Sequence, residues 1–408
     1  AGLVAVAPSV QGEVAKEKAA YGKFVINAGF TAGYWANVYH ENNATGTEDT
    51  IDKDDFSKRH LIALSDANMK FTTEGGCGSV VFGAVAKLEL NAAKFDDTLQ
   101  KAGGIFRDSY VYGRFGNMVE VRIGMLRDAL WAFESAESIQ GGNQGYDGYY
   151  GSLLSGASLG NSSRKERWIL KLDHKLDTGY TNAIEVRSVR MAGFQGLLNF
   201  KPSEVYKGRM DTYGNGKRTV GALNNIISGG VSYDNKFGDW GFRADAAAIY
   251  AGKTKDASNN DSPADQADNF NYQANAVVSW KGLDVGLGWL DNRSAKFAAP
   301  NKEKNAGKVL HGGVAYQFDS VMWKPRMSAG VLWGWKNGQD GSGTQNELKN
   351  QDQTLTFCAA VDLNIRDGFR WFVEGAFAML DEKNSPLAAD RDFAEKNLIV
   401  GTGLAVSQ

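Results

Sequence analysis

From residue 22 almost to the C-terminus, apolar side chains recur at every second position, and no other feature narrows the possible folds so sharply. Residues 24–38 place Phe24, Ile26, Ala28, Phe30, Ala32, Tyr34, Ala36 and Val38 in one row, with Asn27, Gly29, Thr31, Gly33 and Asn37 in the other. A period of two belongs to a β-strand with unlike faces. The run exceeds the usual strand of about 5–6 residues and covers the roughly 9–11 residues that a tilted bilayer-spanning strand needs. The same pattern returns at 80–90, 240–250, 270–280, 283–289, 327–335, 355–363, 369–379 and 398–406. Lys87 and Glu89, Arg243 and Asp245, or Asn271, Gln273 and Asn275 occupy the alternate rows.

The connections alternate in length. Short ones at 73–78, 114–117, 177–180, 235–239, 281–282 and 365–368 carry the Gly, Asn and Asp of tight hairpin turns, and a seventh, less typical, lies near 319–325 with Pro325. Long polar ones fall at about 40–58, 91–104, 126–165, 191–224, 251–268, 291–307, 336–353 and 381–396. Turns on one rim and loops on the other describe a transmembrane barrel, and eight loops with seven turns give sixteen antiparallel strands. Eighteen also fits, because 59–72, 105–113, 181–190 and 225–234 alternate weakly. Trp240, Tyr250, Phe270, Trp280, Trp289, Trp335 and Phe369 sit near strand ends on the apolar row, where aromatic girdles meet the two membrane–water interfaces.

Composition agrees with such a barrel and excludes other classes. Mean hydropathy is −0.36 and 23% of residues are charged, with no stretch of 18 apolar residues, which rules out a bundle of membrane helices. A net charge of −2 gives no footprint for nucleic acid. Cys77 and Cys358 are too few for a disulfide framework and are expected to be unpaired. The four histidines form no zinc pattern, and His174 has no serine beside it. No metal site is expected, although the acidic run Glu48, Asp49, Asp52, Asp54 and Asp55 could hold Ca²⁺ in a loop; more often such a run is only solvated. Residues 1–21 form a separate N-terminal segment, with a short helix expected within 8–20, ahead of a single barrel domain over 22–408.

The segment Asp108-Ser-Tyr-Val-Tyr-Gly-Arg-Phe-Gly-Asn-Met-Val-Glu-Val-Arg-Ile-Gly124 joins a strand, an aromatic-Gly turn and a second strand ahead of the longest loop. In this, and in its pattern over almost the whole chain, the sequence resembles the general porins of Gram-negative bacteria. The resemblance implies a trimer of 16-stranded outer-membrane barrels, each a water-filled channel for passive diffusion of small hydrophilic solutes and ions, with the third loop folded inward. It also implies lipid and lipopolysaccharide as surroundings, and no cofactor or catalysis. One departure is the C-terminus, Leu-Ala-Val-Ser-Gln408, where the family usually ends on an aromatic residue.

A pore works through its width and the charges at its constriction. The resemblance implies that acidic residues of the third loop, here Asp128, Glu134, Glu137 and Asp147, face cations on the barrel wall. Inward cations available are Lys87, Arg107, Arg122 and Lys171, each equally readable as a solvated charge. Lumen placement spares them the roughly 2–4 kcal/mol cost of facing lipid at the midplane. Ala28, Ala32, Ala63, Ala67, Ala84 and Ala86 make the outward rows of the first strands small, which permits close approach of another subunit; sheet packing explains them equally well. A substrate-selective channel remains the alternative, with Trp35, Tyr39, Trp131 and Phe372 as inward aromatic contributors. A barrel enzyme or an adhesin is the third reading. The basic stretch 191–224, with Lys201, Lys207, Arg209, Lys217 and Arg218, is expected to be a loop that shapes the vestibule or binds lipopolysaccharide or a partner.

Overall fold

A computed structural model describes residues 5–6, 18–42, 59–93, 104–135, 181–203, 224–252, 269–292, 307–337, 351–385 and 391–407. Seventeen strands account for nearly all of them: β1 (Ala5–Val6), β2 (Lys18–Asn42), β3 (Arg59–Cys77), β4 (Val80–Ala93), β5 (Gly104–Phe115), β6 (Val119–Leu126), β7 (Thr181–Ser188), β8 (Phe194–Ser203), β9 (Asn224–Phe237), β10 (Trp240–Gly252), β11 (Asn269–Trp280), β12 (Leu283–Asn292), β13 (Lys308–Gln317), β14 (Arg326–Asn337), β15 (Gln351–Arg366), β16 (Phe369–Ser385) and β17 (Arg391–Ser407). One helical turn, α1 (Ala129–Ala132), follows β6.

Every strand from β2 to β17 pairs antiparallel with its neighbours in sequence, including β9 with β10, and β17 returns to pair with β2. The sixteen strands β2–β17 therefore close into a ring. Closure leaves no long unpaired edge, which is what a sheet in lipid requires. β1 pairs with β2 through Ala5↔Phe24 and Val6↔Lys23, below the point where β17 stops at Ser407↔Gly29. It occupies the stretch of β2 edge that β17 does not reach. β2 begins at Lys18, so residues 18–20 of the expected helix are strand, while 7–17 lie outside the described residues.

Two expectations about the ring need correction. β8 lies inside the stretch 191–224 expected to be loop, and a tight turn at 189–193 joins it to β7, with Met191 and Phe194 exchanging backbone hydrogen bonds of 2.8 Å. Conversely, β6 pairs directly with β7 from Val119↔Ser188 to Leu126↔Thr181. The expected turn at 177–180 and Lys171 lie outside the described residues. The two differences cancel, and the count of sixteen stands. The signal in β8 is blurred because its inward row carries Leu197 beside the outward Leu198, so the contrast between rows is lost. The other short turns fall close to expectation, with Gly238 (φ 63°) and Gly282 (φ 85°) supplying the left-handed backbone that two-residue hairpins need.

The rows sort cleanly. Trp240, Phe242, Ala246 and Tyr250 of β10 face outward, whereas Asp245, Ala247, Ile249 and Ala251 face the lumen and are buried. Trp240 and Trp280 stack at 5.7 Å beside the short turns, and Trp289 meets Trp335 at 5.4 Å toward the long loops. These are two aromatic levels on the outer surface.

The inner surface departs from a uniformly polar lining. Toward the long-loop rim, Ile249, Ala251, Leu290, Val309, Leu332, Ala376, Ala378, Leu380 and Ile399 form one buried apolar cluster. Nearer the short turns the inner rows carry paired charges, Arg326 with Asp284 (3.7 Å) and Arg370 with Asp362 (3.1 Å). Phe372 lies at that level, faces inward and is fully buried.

Candidate functional site

The chain leaves the wall after Leu126 and turns into the barrel. Asp128 starts α1, its carboxylate accepting from the Leu130 N–H at 3.1 Å and its carbonyl from Trp131 and Ala132. An Asp at this position satisfies N–H groups that one helical turn cannot satisfy internally. The segment then docks along the inner faces of four strands. Asn199 of β8 donates to the Arg127 carbonyl (3.3 Å), and the Ala129 N–H donates to Ser228 Oγ of β9 (3.0 Å). The Ser135 N–H donates to Asp245 Oδ2 of β10 (2.7 Å). Gln273 Nε2 of β11 donates to the carbonyls of Leu130 (2.6 Å) and Phe133.

Apolar contacts complete the attachment. Ala129 and Leu130 are fully buried, and Phe133 nearly so, against Leu197, Ile226 and Ala247. Gly230 of β9 makes room for the phenyl ring, since a Cβ there would stand 2.7 Å from Phe133 Cδ2. Asn275 donates to the other Asp245 oxygen at 2.6 Å, holding the carboxylate toward Ser135. Arg127 lies over the Trp131 ring at 3.9 Å.

A second feature occupies the inner rows of β5, β6 and β7. Arg114, Glu120, Arg122, Glu185 and Arg187 form one ladder: Arg114 to Glu120 at 3.0 Å, Arg122 to Glu120 at 2.6 Å and to Glu185 at 3.4 Å, and Arg187 to Glu185 at 3.1 Å. Tyr110 and Tyr112 lie in the same inward row, with Arg122 4.8 Å above the first ring and Arg114 5.6 Å from the second. Tyr112 also donates to Glu74 at 2.7 Å and fills the space above Gly83. Glu74 acts on Arg114 as well, so three carboxylates stand with the three guanidiniums.

The expected site residues distribute as follows. Arg122 is inward and sits at the centre of the ladder, so its charge is largely shared with Glu120 and Glu185. Lys87 is inward on β4, opposite Arg107 in register; the Arg107 side chain lies outside the described residues. Asp128 is 0% exposed and serves as the helix cap, not as a charge lining the pore. Glu134 follows α1 and is half-buried. Glu137, Asp147, Lys171, Lys207, Arg209, Lys217, Arg218 and the acidic run 48–55 lie outside the described residues. Lys201 is an inward, fully buried residue of β8 and not part of a basic loop. Register sets Ala28 opposite Ala67 and Ala32 opposite Ala63, and Ala84 and Ala86 share the outward row of β4 with Phe82.

Sequence reasoning missed the residues that hold the loop: Asn199, Ser228, Asp245 and Gln273. The inward amide row Asn271, Gln273 and Asn275 was visible, but nothing in it said which segment it would bind.

No protein-family model and no curated protein sequence matches this chain. Solved structures do match its fold. Salmonella typhi OmpF, determined with daunomycin, superposes with a TM-score of 0.59 at 12% identity over 95% of this chain and 98% of its own. An anion-selective porin from Comamonas acidovorans gives 0.52 at 12% identity, covering 95% and 100%. The outer-membrane protein OmpT of Vibrio cholerae, in a trimer form, gives 0.53 at 11% identity, covering 95% and 99%. With a closed sixteen-stranded ring, seven short turns on one rim and the segment after β6 docked inside, the chain has the fold of the outer-membrane porins.

Proposed function

We propose that this chain is an outer-membrane channel through which small hydrophilic solutes and ions diffuse passively, assembled as a homotrimer among outer-membrane lipid and lipopolysaccharide. The observation that carries this reading is the root of the third loop, which enters a closed barrel and is latched to the inner faces of β8–β11. A segment held there reduces the open cross-section while leaving the adjoining wall, β5–β7, to meet the solute. That wall carries the arginine–glutamate ladder, whose charged groups face the permeating solute. Such a device selects by width and charge and needs no reaction centre or cofactor.

A narrower reading, a substrate-selective channel, is favoured by one observation: the apolar inner cluster near the long-loop rim, with Phe372 below it. Apolar lumen surface reduces the water-filled section and rewards solutes with an apolar face.

Single-channel recording in a planar bilayer under a salt gradient tests both. Large, steady conductance closing in three equal steps supports the trimeric diffusion channel, and a reversal potential that moves toward cations in Arg122→Gln supports the ladder's role. Small conductance blocked by one class of solute favours the selective channel. Absence of conductance from folded barrels refutes both.

A further inference from the structure

We propose that Asn199 is a positioning residue that joins the arginine–glutamate ladder to the segment after β6, so that an oxyanion taken up by the ladder loosens that segment. The inference rests on the channel proposed above. Tyr112, Arg122, Glu185, Asn199 and Ser228 are successive cross-strand neighbours on β5–β9, in one inward row. Arg122 and Glu185 belong to the ladder, whereas Ser228 holds the Ala129 N–H. Asn199 stands between them, and its Nδ2 serves both sides. It donates to the Arg127 carbonyl at 3.3 Å and to Glu185 Oε2 at 3.5 Å. The residue is 1% exposed, and its carboxamide oxygen has no hydrogen-bond partner among the described residues. Two long contacts of one nitrogen therefore set where the amide lies.

The division of Glu185 between its partners makes this joint sensitive to the ladder. Arg122 and Arg187 both reach Oε1, at 3.4 and 3.1 Å, which leaves Oε2 to Asn199. The Glu185 side chain is 2% exposed, so water does not replace a donor it loses. Arg187 is more open, with its side chain 24% exposed, and among the described residues only its Nε is engaged. Its two terminal nitrogens match the fork of an oxyanion. An oxyanion there competes with Glu185 for the guanidinium. A buried carboxylate that loses one donor leans on those that remain. A hydrogen bond to an ionised acceptor is also roughly twice as strong as one to a neutral carbonyl. Asn199 then moves toward Glu185, and the Arg127 carbonyl gives up its donor. Gln273 and Asp245 still hold the far end of the segment, so its root loosens without leaving the wall.

Single-channel recordings in chloride, with and without inorganic phosphate at constant ionic strength, test the joint. In wild type, phosphate should raise the ratio of closed to open dwell times about fivefold, the lower end of coupling between two sites. Asn199→Leu should flicker in chloride alone and gain nothing from phosphate, and Asn199→Ala gives the same readout where leucine is not accommodated. Arg187→Gln removes the oxyanion's fork and should abolish the response as well. A purely structural Asn199 would raise the basal closures on substitution yet leave the phosphate response intact. That outcome, no phosphate effect in wild type, or a full response in Arg187→Gln overturns the proposal. Limited proteolysis keeps the question separate from the channel: phosphate should speed cutting between Leu126 and Thr181 in wild type and not in Asn199→Leu. No conductance from folded wild-type barrels would count against the channel, while the digestion pattern still decides the joint.

Discussion

Replacing Gln273 by leucine addresses the loop latch directly. The side-chain amide donates to two carbonyls at the end of α1, those of Leu130 and Phe133, and it is 1% exposed. Leucine keeps most of the volume and removes both donors, leaving two buried acceptors unsatisfied. Each such loss costs about 1–3 kcal/mol, or roughly 2–6 kcal/mol together. The apolar side of the attachment is of similar size, because burying Leu130 and Phe133 contributes about 1.5–3 kcal/mol each. Removing the amide therefore offsets most of what the apolar contacts supply, and the docked position gives up much of its advantage. The barrel strands keep their own hydrogen bonds, so the fold survives. Gln273→Leu should raise single-channel conductance and its noise and speed proteolytic cutting between Leu126 and Thr181, with heat-modifiable migration on gels unchanged. Wild-type conductance together with a wild-type digestion pattern would refute the idea that this amide holds the loop.

Three further outcomes follow from other contacts. Arg122→Gln removes the cation between Glu120 and Glu185, which are 8% and 2% exposed, so it should shift the reversal potential toward cations and lower denaturant stability by about 3–5 kcal/mol, as breaking a buried ion pair does. Phe372→Ala empties a fully buried position on the inner wall and should cost about 3–5 kcal/mol in urea-induced unfolding; a loss under 1 kcal/mol would mean the ring is not packed. Ala28→Trp combined with Ala84→Trp places bulk on the small outward rows of β2 and β4 and should convert trimer to monomer on a native gel, whereas undiminished trimer would locate the subunit contact elsewhere.

Much of the barrel was legible because a sheet in lipid must be closed and two-faced. The outward row has one solvent, hydrocarbon, and so reads as a continuous apolar series in β4, β10, β11 and β14. Short turns were legible because Gly, Asn and Asp meet a local backbone requirement. β8 was not, since its inward Leu197 packs on the third loop and the row contrast disappears. Asp128 was read as a pore charge because acidity is visible in sequence, while its use as a helix cap depends on a helix of four residues too short to show a period.

What the sequence determined by itself is the class: an antiparallel barrel of sixteen or eighteen strands, the side most strand residues face outside β8, and one rim of turns set against one of loops. Each follows from interactions between residues close in the chain or from the demand of the surrounding lipid. The tertiary structure alone decided what lies across the lumen from what. Ser135 meets Asp245 and Ala129 meets Ser228 across separations of 110 and 99 residues, and Arg122 finds Glu185 only because β6 and β7 are neighbours in the ring. Parity tells a residue to face inward. Ring closure, which fixes the distance and angle between inner walls, chooses its partner.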